Sequence, residues 1–304
     1  MFIGLFYFVK TPVRKVKPEY PNFQTMFCSP EKKYLAGCIL FIWSGLMPQS
    51  VKAVENLRAG ARSLALSHAS VSFSDPWAAF HNQAGLAGLP GVAAGAFIES
   101  KFGIDELSLA AGTFTLQYGE GNFAISLYRF GKGTFYEDKI GVAYARKLSG
   151  KWKAGIQLDY FSMLFPENER ATGFATFEGG LLYLPSERLH LGVHIFNPVT
   201  EGIRWPAGKD KMPVVLRTGC HFNLNKILLL AVEAEKDNLH PPLYKTGIEF
   251  MPLENFFIRM GFSGKPAKYT AGIGYITGMI SADIGFSYHG NLGMTPSVAI
   301  NIVL

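Results

Sequence analysis

The sequence has few charged residues for a chain of its length. Asp, Glu, Lys and Arg make up 17% of the 304 residues, against roughly 25% in soluble domains. The net charge of +6 does not indicate a nucleic-acid partner, because residues 1–53 hold seven of the 29 basic residues but only two of the 23 acidic ones. The remaining chain carries 22 basic and 21 acidic side chains, so we expect no nucleic acid among the partners.

Cysteines, long apolar runs and cofactor motifs are also scarce. Cys28 and Cys38 precede residue 54, so only Cys220 remains beyond it and no intrachain disulfide is expected. After residue 53 no stretch of 18 or more apolar residues occurs, which excludes a bundle of membrane-spanning helices. No Gly-rich phosphate loop or paired-cysteine motif is present. We therefore expect no cofactor, no bound metal and no enzymatic activity.

Residues 26–53 have the pattern of a secretory signal peptide. Lys32 and Lys33 precede an apolar run over residues 35–47, which is shorter than the roughly 20 residues of a spanning helix. The small residues around Ala53 suit a cleavage site, so we expect the mature chain to begin near residue 54. Met26 is an alternative start, which makes residues 1–25 a candidate artefact of start-site assignment.

From residue 92 onward, apolar and polar side chains alternate with a period of two. Ile156, Leu158 and Tyr160, for example, alternate with Gln157 and Asp159. Successive side chains of a strand point to opposite faces, so each segment has one large apolar face and one face of Gly, Ala, Ser and ionisable residues. About 14 such segments are predicted, over residues 92–102, 106–118, 121–131, 136–148, 151–164, 170–184, 188–197, 213–224, 227–236, 243–251, 255–263, 268–277, 281–289 and 295–304.

This pattern predicts an all-β fold, a transmembrane antiparallel β-barrel of about 14 strands over residues 92–304. The segments are near the roughly 9–11 residues that a tilted membrane-crossing strand needs. A soluble β-sandwich alternates too, but only its buried face is apolar, and it rarely needs 14 regular strands in about 200 residues. We therefore expect the outer membrane of a Gram-negative bacterium as the location and outer-membrane lipids as partners.

The connections between the predicted strands alternate in length. Those after even-numbered strands are short, and most of those after odd-numbered strands are longer, up to residues 198–212 with Trp205 and five charged side chains. Short periplasmic turns and long extracellular loops produce this rhythm in bacterial barrels. It predicts a periplasmic N-terminus.

Residues 54–91 lack the alternation. Ser74 or Asp75 can cap a helix that begins at Pro76 and runs for about ten residues, with Gly85 and Gly88 as stop signals. A helix of this length is marginal alone and must pack on something. The lumen of a 14-strand barrel is wide enough to need filling, so we expect residues 54–91 to form a small N-terminal plug, or hatch, containing a short helix.

The stretch over residues 61–89, ARSLALSHASVSFSDPWAAFHNQAGLAGL, resembles the N-terminal hatch of the FadL-like superfamily of outer-membrane transport proteins. The likeness lies in the Ala-Arg-Ser opening, the Asp-Pro helix start and the Asn-Gln-Ala-Gly-Leu run at residues 82–86. Within that superfamily it is most similar in look to PorV-like barrels of type IX secretion bacteria. Gln83 departs from the pattern, since family members have proline there.

The resemblance implies two alternative functions. A FadL-like barrel carries a small hydrophobic ligand across the outer membrane and binds it near the hatch. A PorV-like barrel acts as an accessory in protein secretion and contacts a secretion-system protein, here through residues 198–212. For the first function the resemblance implies a ligand or hatch pocket, although plain packing of the hatch against the wall would explain the aromatic residues equally well. The residues of this predicted pocket are Phe73, Trp77, Phe80, Asn82, Gln83, Ala84 and Gly85.

The inward face of the predicted barrel holds charges of both signs, which predicts a paired polar network around the plug. His190 and His194 lie four residues apart, about 13 Å along a strand, which is too far to bind one metal ion. Ser287 and His289 lack any supporting motif, and no catalytic residue is expected. The predicted network comprises Lys153, Asp159, His190, His194, Arg217, His221, Glu233, Arg259 and Asp283.

Overall fold

The structure is a computed structural model that describes residues 57–133, 135–164, 171–205, 208–264 and 266–304. The expected upstream extension (residues 1–25) and signal peptide (residues 26–53) lie outside the described residues. In the described part of the chain, no helix is long and apolar enough to span a bilayer.

Fourteen antiparallel strands close into a barrel. Each predicted segment forms one strand, with ends that shift by a few residues. Between the seventh and eighth barrel strands, the long connection adds a short hairpin, β8 and β9, which the alternation does not predict. The strands are β1 (Val92–Ser100), β2 (Ser108–Tyr118), β3 (Gly121–Lys132), β4 (Phe135–Lys147), β5 (Trp152–Leu164), β6 (Thr172–Tyr183), β7 (Leu189–Phe196), β8 (Gly202–Trp205), β9 (Gly208–Lys211), β10 (Val215–Asn223), β11 (Leu228–Asp237), β12 (Leu243–Leu253), β13 (Phe256–Ser263), β14 (Lys268–Thr277), β15 (Ile280–His289) and β16 (Gly293–Val303).

The ring closes where β1 pairs with β16. The pairing runs from Ala93 opposite Val303 to Glu99 opposite Ser297, and the backbone N–H of Leu304 donates to the carbonyl of Val92 at 2.7 Å. All other barrel strands pair with their neighbour along the chain, except that β7 pairs with β10 across the extra hairpin. A closed ring leaves no strand edge unpaired, and it excludes the β-sandwich alternative.

The outer surface of the barrel is apolar. Leu158 is 65% exposed, whereas the next residue, Asp159, is 2% exposed and faces the lumen. The same alternation between exposed and buried positions recurs along most strands. So many large apolar side chains on one outer surface are favourable in contact with lipid hydrocarbon and unfavourable in contact with water. The alternation predicted from the sequence is thus an outward and inward alternation around a closed wall.

The two ends of the barrel differ in the length of their connections. At one end, which we name the short-turn end, strands are joined by two to five residues, as at residues 119–120 and 278–279. At the opposite long-loop end, the connections include residues 165–171 and 197–214. The predicted rhythm holds only in part, since residues 133–134, 264–267 and 290–292 at the long-loop end are no longer than the turns at the other end.

Residues 57–91, which we name the plug, lie inside the barrel. They form one α-helix, α1 (Ala61–Ala65), and two 3₁₀ helices, η1 (Pro76–Phe80) and η2 (Gln83–Leu86). Helix α1 packs against β13 to β16, η1 against β1 to β3, and η2 against β3 to β6. Most plug side chains between residues 59 and 87 are buried, so this segment fills the lumen.

The prediction of a single helix of about ten residues is wrong. Asp75 does cap the start, since its Oδ1 accepts from the backbone N–H of Trp77 at 3.0 Å. The helix ends after one turn because Asn82 adopts an extended conformation, with φ −165° and ψ 106°. Its amide donates to the carbonyl of Val71 at 2.7 Å, and its Oδ1 accepts from the N–H of Ala84 at 3.1 Å. Such local side-chain bonds compete with helix continuation.

Candidate functional site in the barrel lumen

Glycine residues let the plug backbone approach the wall. At nine inward positions, an added Cβ atom would come within 2.1–2.9 Å of a plug atom. At Gly192 that atom is the carbonyl oxygen of Val71 at 2.3 Å, and at Gly155 it is the carbonyl carbon of Gln83 at 2.4 Å. We name the set the glycine collar. It consists of Gly95, Gly155, Gly180, Gly192, Gly219, Gly247, Gly261, Gly272 and Gly285.

Glu233 anchors the plug backbone to β11. Its Oε2 accepts from the N–H of Ser70 at 3.0 Å and from the N–H of Val71 at 2.9 Å. Its Oε1 lies 3.0 Å from the Nζ of Lys245, which also lies 2.8 Å from Glu235. Both carboxylate oxygens are therefore engaged, as burial of a charge requires.

A second chain of ion pairs joins α1 to the wall. Arg62 donates two hydrogen bonds of 2.8 Å to Glu249, in the forked geometry that makes arginine–carboxylate pairs strong. Glu249 also accepts from Arg259 at 2.6 Å, and Arg259 reaches Asp283 at 2.6 Å. The guanidinium of Arg62 further lies 4.6 Å from the ring centre of Phe73, so a plug aromatic covers this pair.

A third cluster lies beneath η1 and η2. The Nζ of Lys139 is 2.8 Å from Glu178 and 3.1 Å from Asp159. Glu178 also lies 3.1 Å from the Nε2 of His194 and accepts from the amide of Gln157 at 2.7 Å. These side chains are all fully buried, so the cluster is a closed polar layer rather than a hydrated pore.

Arg217 links the wall to the plug between these clusters. Its Nη1 donates to the carbonyl of His81 at 3.3 Å, and its Nε lies 3.4 Å from Glu235. Arg58 of the plug also pairs with Glu235. His81 is buried beside these cations, and burial, followed by the charges of Arg217 and Arg58, lowers the pKa of His81 to about 3. His81 is therefore neutral at ordinary pH.

The structure thus joins Asp159, Arg217, Glu233, Arg259 and Asp283 through carboxylate–cation contacts. His194 of the predicted network contacts the carboxylate of Glu178. His190 and His221 instead pair across β7 and β10 with ring centres 4.5 Å apart, and His221 shares a 2.9 Å hydrogen bond with Ser72. Lys153 lies toward the short-turn end and donates to Ser74 at 3.2 Å. Among the described residues no group of three His, Cys, Asp or Glu side chains is placed to hold a metal ion.

Lys139 and Glu178, which form the centre of the third cluster, were not predicted. Both are in phase with the inward positions of β4 and β6, so the strand pattern contained the signal. Arg58 and Arg62 were not predicted either, because a plug without regular alternation gives no indication of which side chains face the wall.

The seven residues of the predicted pocket are all buried. They do not surround one space. Phe73 packs with Leu66, Ala69 and Ala231, whereas Trp77 and Phe80 belong to a separate apolar cluster. Two recesses, of about 80 and 360 Å³, open at the short-turn end, and none of the seven residues lines either of them.

Trp77 and Phe80 contribute to an apolar layer on the long-loop side of the lumen. The ring centre of Trp77 lies 5.8 Å from those of Phe80 and Phe97. On the opposite wall, Phe161 stacks on Phe174 at 5.0 Å. Lys139 connects the two halves, since its Nζ lies 5.7 Å from the ring centre of Phe80 and 5.8 Å from that of Phe161. We name this set the aromatic layer. It consists of Trp77, Phe80, Phe97, Tyr128, Phe161, Phe174 and Phe196.

The barrel is similar to solved outer-membrane channels. The Pseudomonas putida toluene transporter TodX matches with a TM-score of 0.60 at 13% identity, over 82% of this chain and 98% of that one. The Ralstonia pickettii toluene transporter TbuX matches with a TM-score of 0.59 at 12% identity, over 82% and 98%. A Pseudomonas aeruginosa FadL homologue matches with a TM-score of 0.58 at 12% identity, over 81% and 98%.

No family model and no curated protein sequence matches the chain. At 12–13% identity, the structural matches establish a shared fold. That fold is a closed antiparallel barrel of 14 strands.

Proposed function

We propose that this protein is an outer-membrane channel for small apolar molecules, closed by its plug in the conformation described here. The observation that carries the proposal is the aromatic layer, to which the plug contributes Trp77 and Phe80 and the wall contributes the other five rings. Small-molecule sites are mostly lined by apolar and aromatic side chains, and the layer lies on the long-loop side, where the loops are expected to face the outside.

The fold supports the same proposal. Two of the similar barrels are toluene transporters, and a third is a FadL homologue. An apolar exterior of membrane-crossing strands suits the outer membrane of a Gram-negative bacterium. Within this proposal the N-terminus is periplasmic, residues 54–91 act as the hatch, and Phe73, Trp77 and Phe80 with the 82–85 turn respond to ligand.

Passage requires the plug to move. The plug contacts the wall around the whole ring. η1 packs on β1, and α1 packs on β16. Between them, Gly192 of β7 and Gly219 of β10 lie against Val71 of the plug. The glycine collar and the buried ion pairs hold the plug against the wall in this conformation. An apolar solute that enters the aromatic layer is therefore expected to displace η1 or η2 before it can cross.

A disulfide between plug and wall tests this directly. The hydroxyl oxygens of Ser67 and Thr270 lie 3.2 Å apart, so cysteines at these two positions bring their sulfur atoms close to each other. In a Cys220→Ala background, Ser67→Cys with Thr270→Cys should abolish toluene uptake by cells or proteoliposomes when oxidised, and reductant should restore it. The two single-cysteine variants are the controls.

Uptake that continues through the oxidised double variant would contradict passage by plug movement. The alternative is a PorV-like accessory barrel that acts in protein secretion. The buried polar clusters that join the plug to the wall support it, and a second measurement distinguishes the two functions. If no variant carries toluene and native purification from membranes recovers a secretion complex, the transport proposal fails and the accessory function takes its place.

A further inference from the structure

Two lysines face the lumen side by side at the short-turn end. Lys147, at the end of β4, is the direct register partner of Lys153, at the start of β5. Both lie in phase with inward residues, since Ala145 is buried and Gly155 meets Gln83 of the plug. Side chains directly opposite each other on antiparallel strands have β-carbons about 5 Å apart, and like charges there are destabilising.

The two lysines differ from the other luminal cations. Lys139, Arg217, Lys245 and Arg259 each lie within 2.6–3.4 Å of a carboxylate. Across the described residues, no carboxylate comes within ion-pair distance of Lys147 or Lys153. Glu120, which lines the same recess as Lys147, pairs with Arg146 of β4. The pair therefore adds repulsion without a compensating partner.

Lys147 borders the larger recess, and Lys153 lies directly opposite Lys147 on β5. This recess measures about 360 Å³ and is lined by Gly88, Gln117, Glu120, Asn122 and Lys147. Asn122 is already committed to the plug, accepting from the N–H of Gly88 at 2.9 Å and donating to the carbonyl of Leu89 at 2.8 Å.

Further donors surround the recess. The Oε1 of Gln117 accepts from the N–H of Gly91 at 3.2 Å, which leaves the Gln117 amide N–H groups available to donate. Lys153 donates to the hydroxyl of Ser74 of the plug at 3.2 Å. The stem of Lys147 packs over Gly88, where an added Cβ atom would lie 2.1 Å from the lysine Cε, so the ammonium group is held at the recess.

We propose that Lys147 and Lys153, with Gln117 and Ser74, form a binding site for a carboxylate or phosphate group at the short-turn mouth of the lumen. Two ammonium groups with neutral donors beside them supply the charge-assisted hydrogen bonds that such anions take. A bound anion offsets the repulsion between the two ammonium groups, so the lysines can lie opposite each other without destabilising the barrel. The site does not depend on transport through the barrel, because it lies on the surface of the plug that faces the mouth.

The test measures anion binding to the purified full-length protein in an uncharged maltoside detergent. Inorganic phosphate and decanoate are the probes, with calorimetry and thermal unfolding as readouts. We expect saturable binding and a rise in unfolding temperature for the wild type. In Lys147→Gln with Lys153→Gln, affinity should fall at least about tenfold, since a hydrogen bond to a charged group is worth roughly one factor of ten or more, and the anion should no longer raise the unfolding temperature.

Two further variants separate binding from folding. Lys151→Gln removes one charge from the exposed turn between the same strands and should bind like the wild type, while Lys147→Arg should retain binding. Without anion, Lys147→Gln should unfold at the same or a slightly higher temperature, because it removes the repulsion. A lysine with only a structural role would instead lower that temperature on replacement.

A second experiment, in lipid membranes, distinguishes a lipid headgroup from a free anion as the ligand. In nanodiscs of phosphatidylcholine with and without phosphatidylglycerol, an unfolding temperature that rises only with the anionic lipid, and only when both lysines are present, assigns the site to a lipid headgroup. Binding of the soluble probes assigns it to a free anion. The proposal is overturned if the wild type binds neither probe nor anionic lipid, or if the double glutamine variant binds them equally well.

Discussion

At the residue scale, His81 shows that burial among cations inside the barrel keeps a histidine side chain unprotonated. The imidazole is buried in the plug beside Arg217 and Arg58, and its pKa is lowered from 6.5 to about 3. His68 lies nearby, with ring centres 6.3 Å apart, and its pKa is also lowered by burial. A protonated His81 would be a further cation among cations. The plug is therefore built for a neutral histidine at this position.

Acidification should loosen the plug through this residue. Between pH 6.5 and about 3, the unfolded segment binds a proton at His81 that the folded plug does not, so stability falls as the pH falls through that window. The slope from one such group reaches about 1.4 kcal/mol per pH unit. Protease cleavage of the plug, followed from pH 7 to pH 4, should rise more steeply in the wild type than in His81→Gln.

His68 keeps part of the slope, so the His81→Gln profile should become shallower rather than flat. His289→Gln is the control, because His289 contacts Phe102 at the long-loop end. Parallel profiles for the wild type and His81→Gln would refute the assignment.

At the scale of elements, the plug and the wall fit through backbone contact. Gly192 on β7 meets the carbonyl of Val71, and Gly272 on β14 meets the β-carbon of Ala65 in α1. Larger inward residues would push the plug from the ion pairs that hold it. The strands thus present two kinds of inward position, glycines that admit the plug and charged residues that bind it.

Gly192→Ala should therefore destabilise the plugged barrel by about 1–3 kcal/mol, the usual cost of overpacking. The new Cβ atom would lie 2.3 Å from a backbone oxygen, which cannot move away as a flexible side chain could. Gly112→Ala is the matched control, because the nearest atom to its Cβ is 3.7 Å away. Urea midpoints of the two variants measure the difference, and equal midpoints would mean that the collar does not position the plug.

The sequence was sufficient to predict the strands but not the plug. All 14 strands follow from the period of two, because lipid on one side and a polar lumen on the other require the alternation. The hairpin β8–β9 escaped detection because residues 198–212 contain Pro, Gly and charges without alternation. In the plug, the end of η1 depends on hydrogen bonds of Asn82 to Val71, Leu181 and Val193, two of which are wall residues distant in sequence.

The sequence predicts which wall residues face the lumen but not which of them pair, because pairing depends on contacts between segments distant in the chain. Inward positions such as Asp159 and Arg259 follow from the strand pattern. Which of them pair depends on register, and the link between Arg259, Glu249 and Arg62 depends on where α1 lies. The aromatic layer was missed because its members are spread over β1, β3, β5, β6, β7 and η1 and converge only when the ring closes.

At the scale of the whole molecule, the outer surface determines where the protein can reside. Leu158, at the middle of β5, is 65% exposed on a face shared with Ile156 and Tyr160. In water, one more charge on that face would be harmless. In a bilayer it must be buried in hydrocarbon, at a cost that depends on depth.

Leu158→Arg should accordingly lower folding stability in lipid vesicles by about 2–4 kcal/mol. Leu148→Arg, at the turn after β4, is equally exposed in the structure at 63% but lies near the end of the strand, and should cost only about 0–1 kcal/mol. Denaturant titration of both variants in vesicles measures the difference. Equal costs would argue against a membrane midplane at Leu158.

The seam between β1 and β16 fixes an order of events during assembly. These strands lie about 200 residues apart in the chain, yet their pairing completes the ring, so closure is the most non-local contact of the wall and is expected to come late. The plug precedes β1 and touches strands all around the circumference. If closure comes late, the wall is expected to close around a plug that already lies inside the curving sheet.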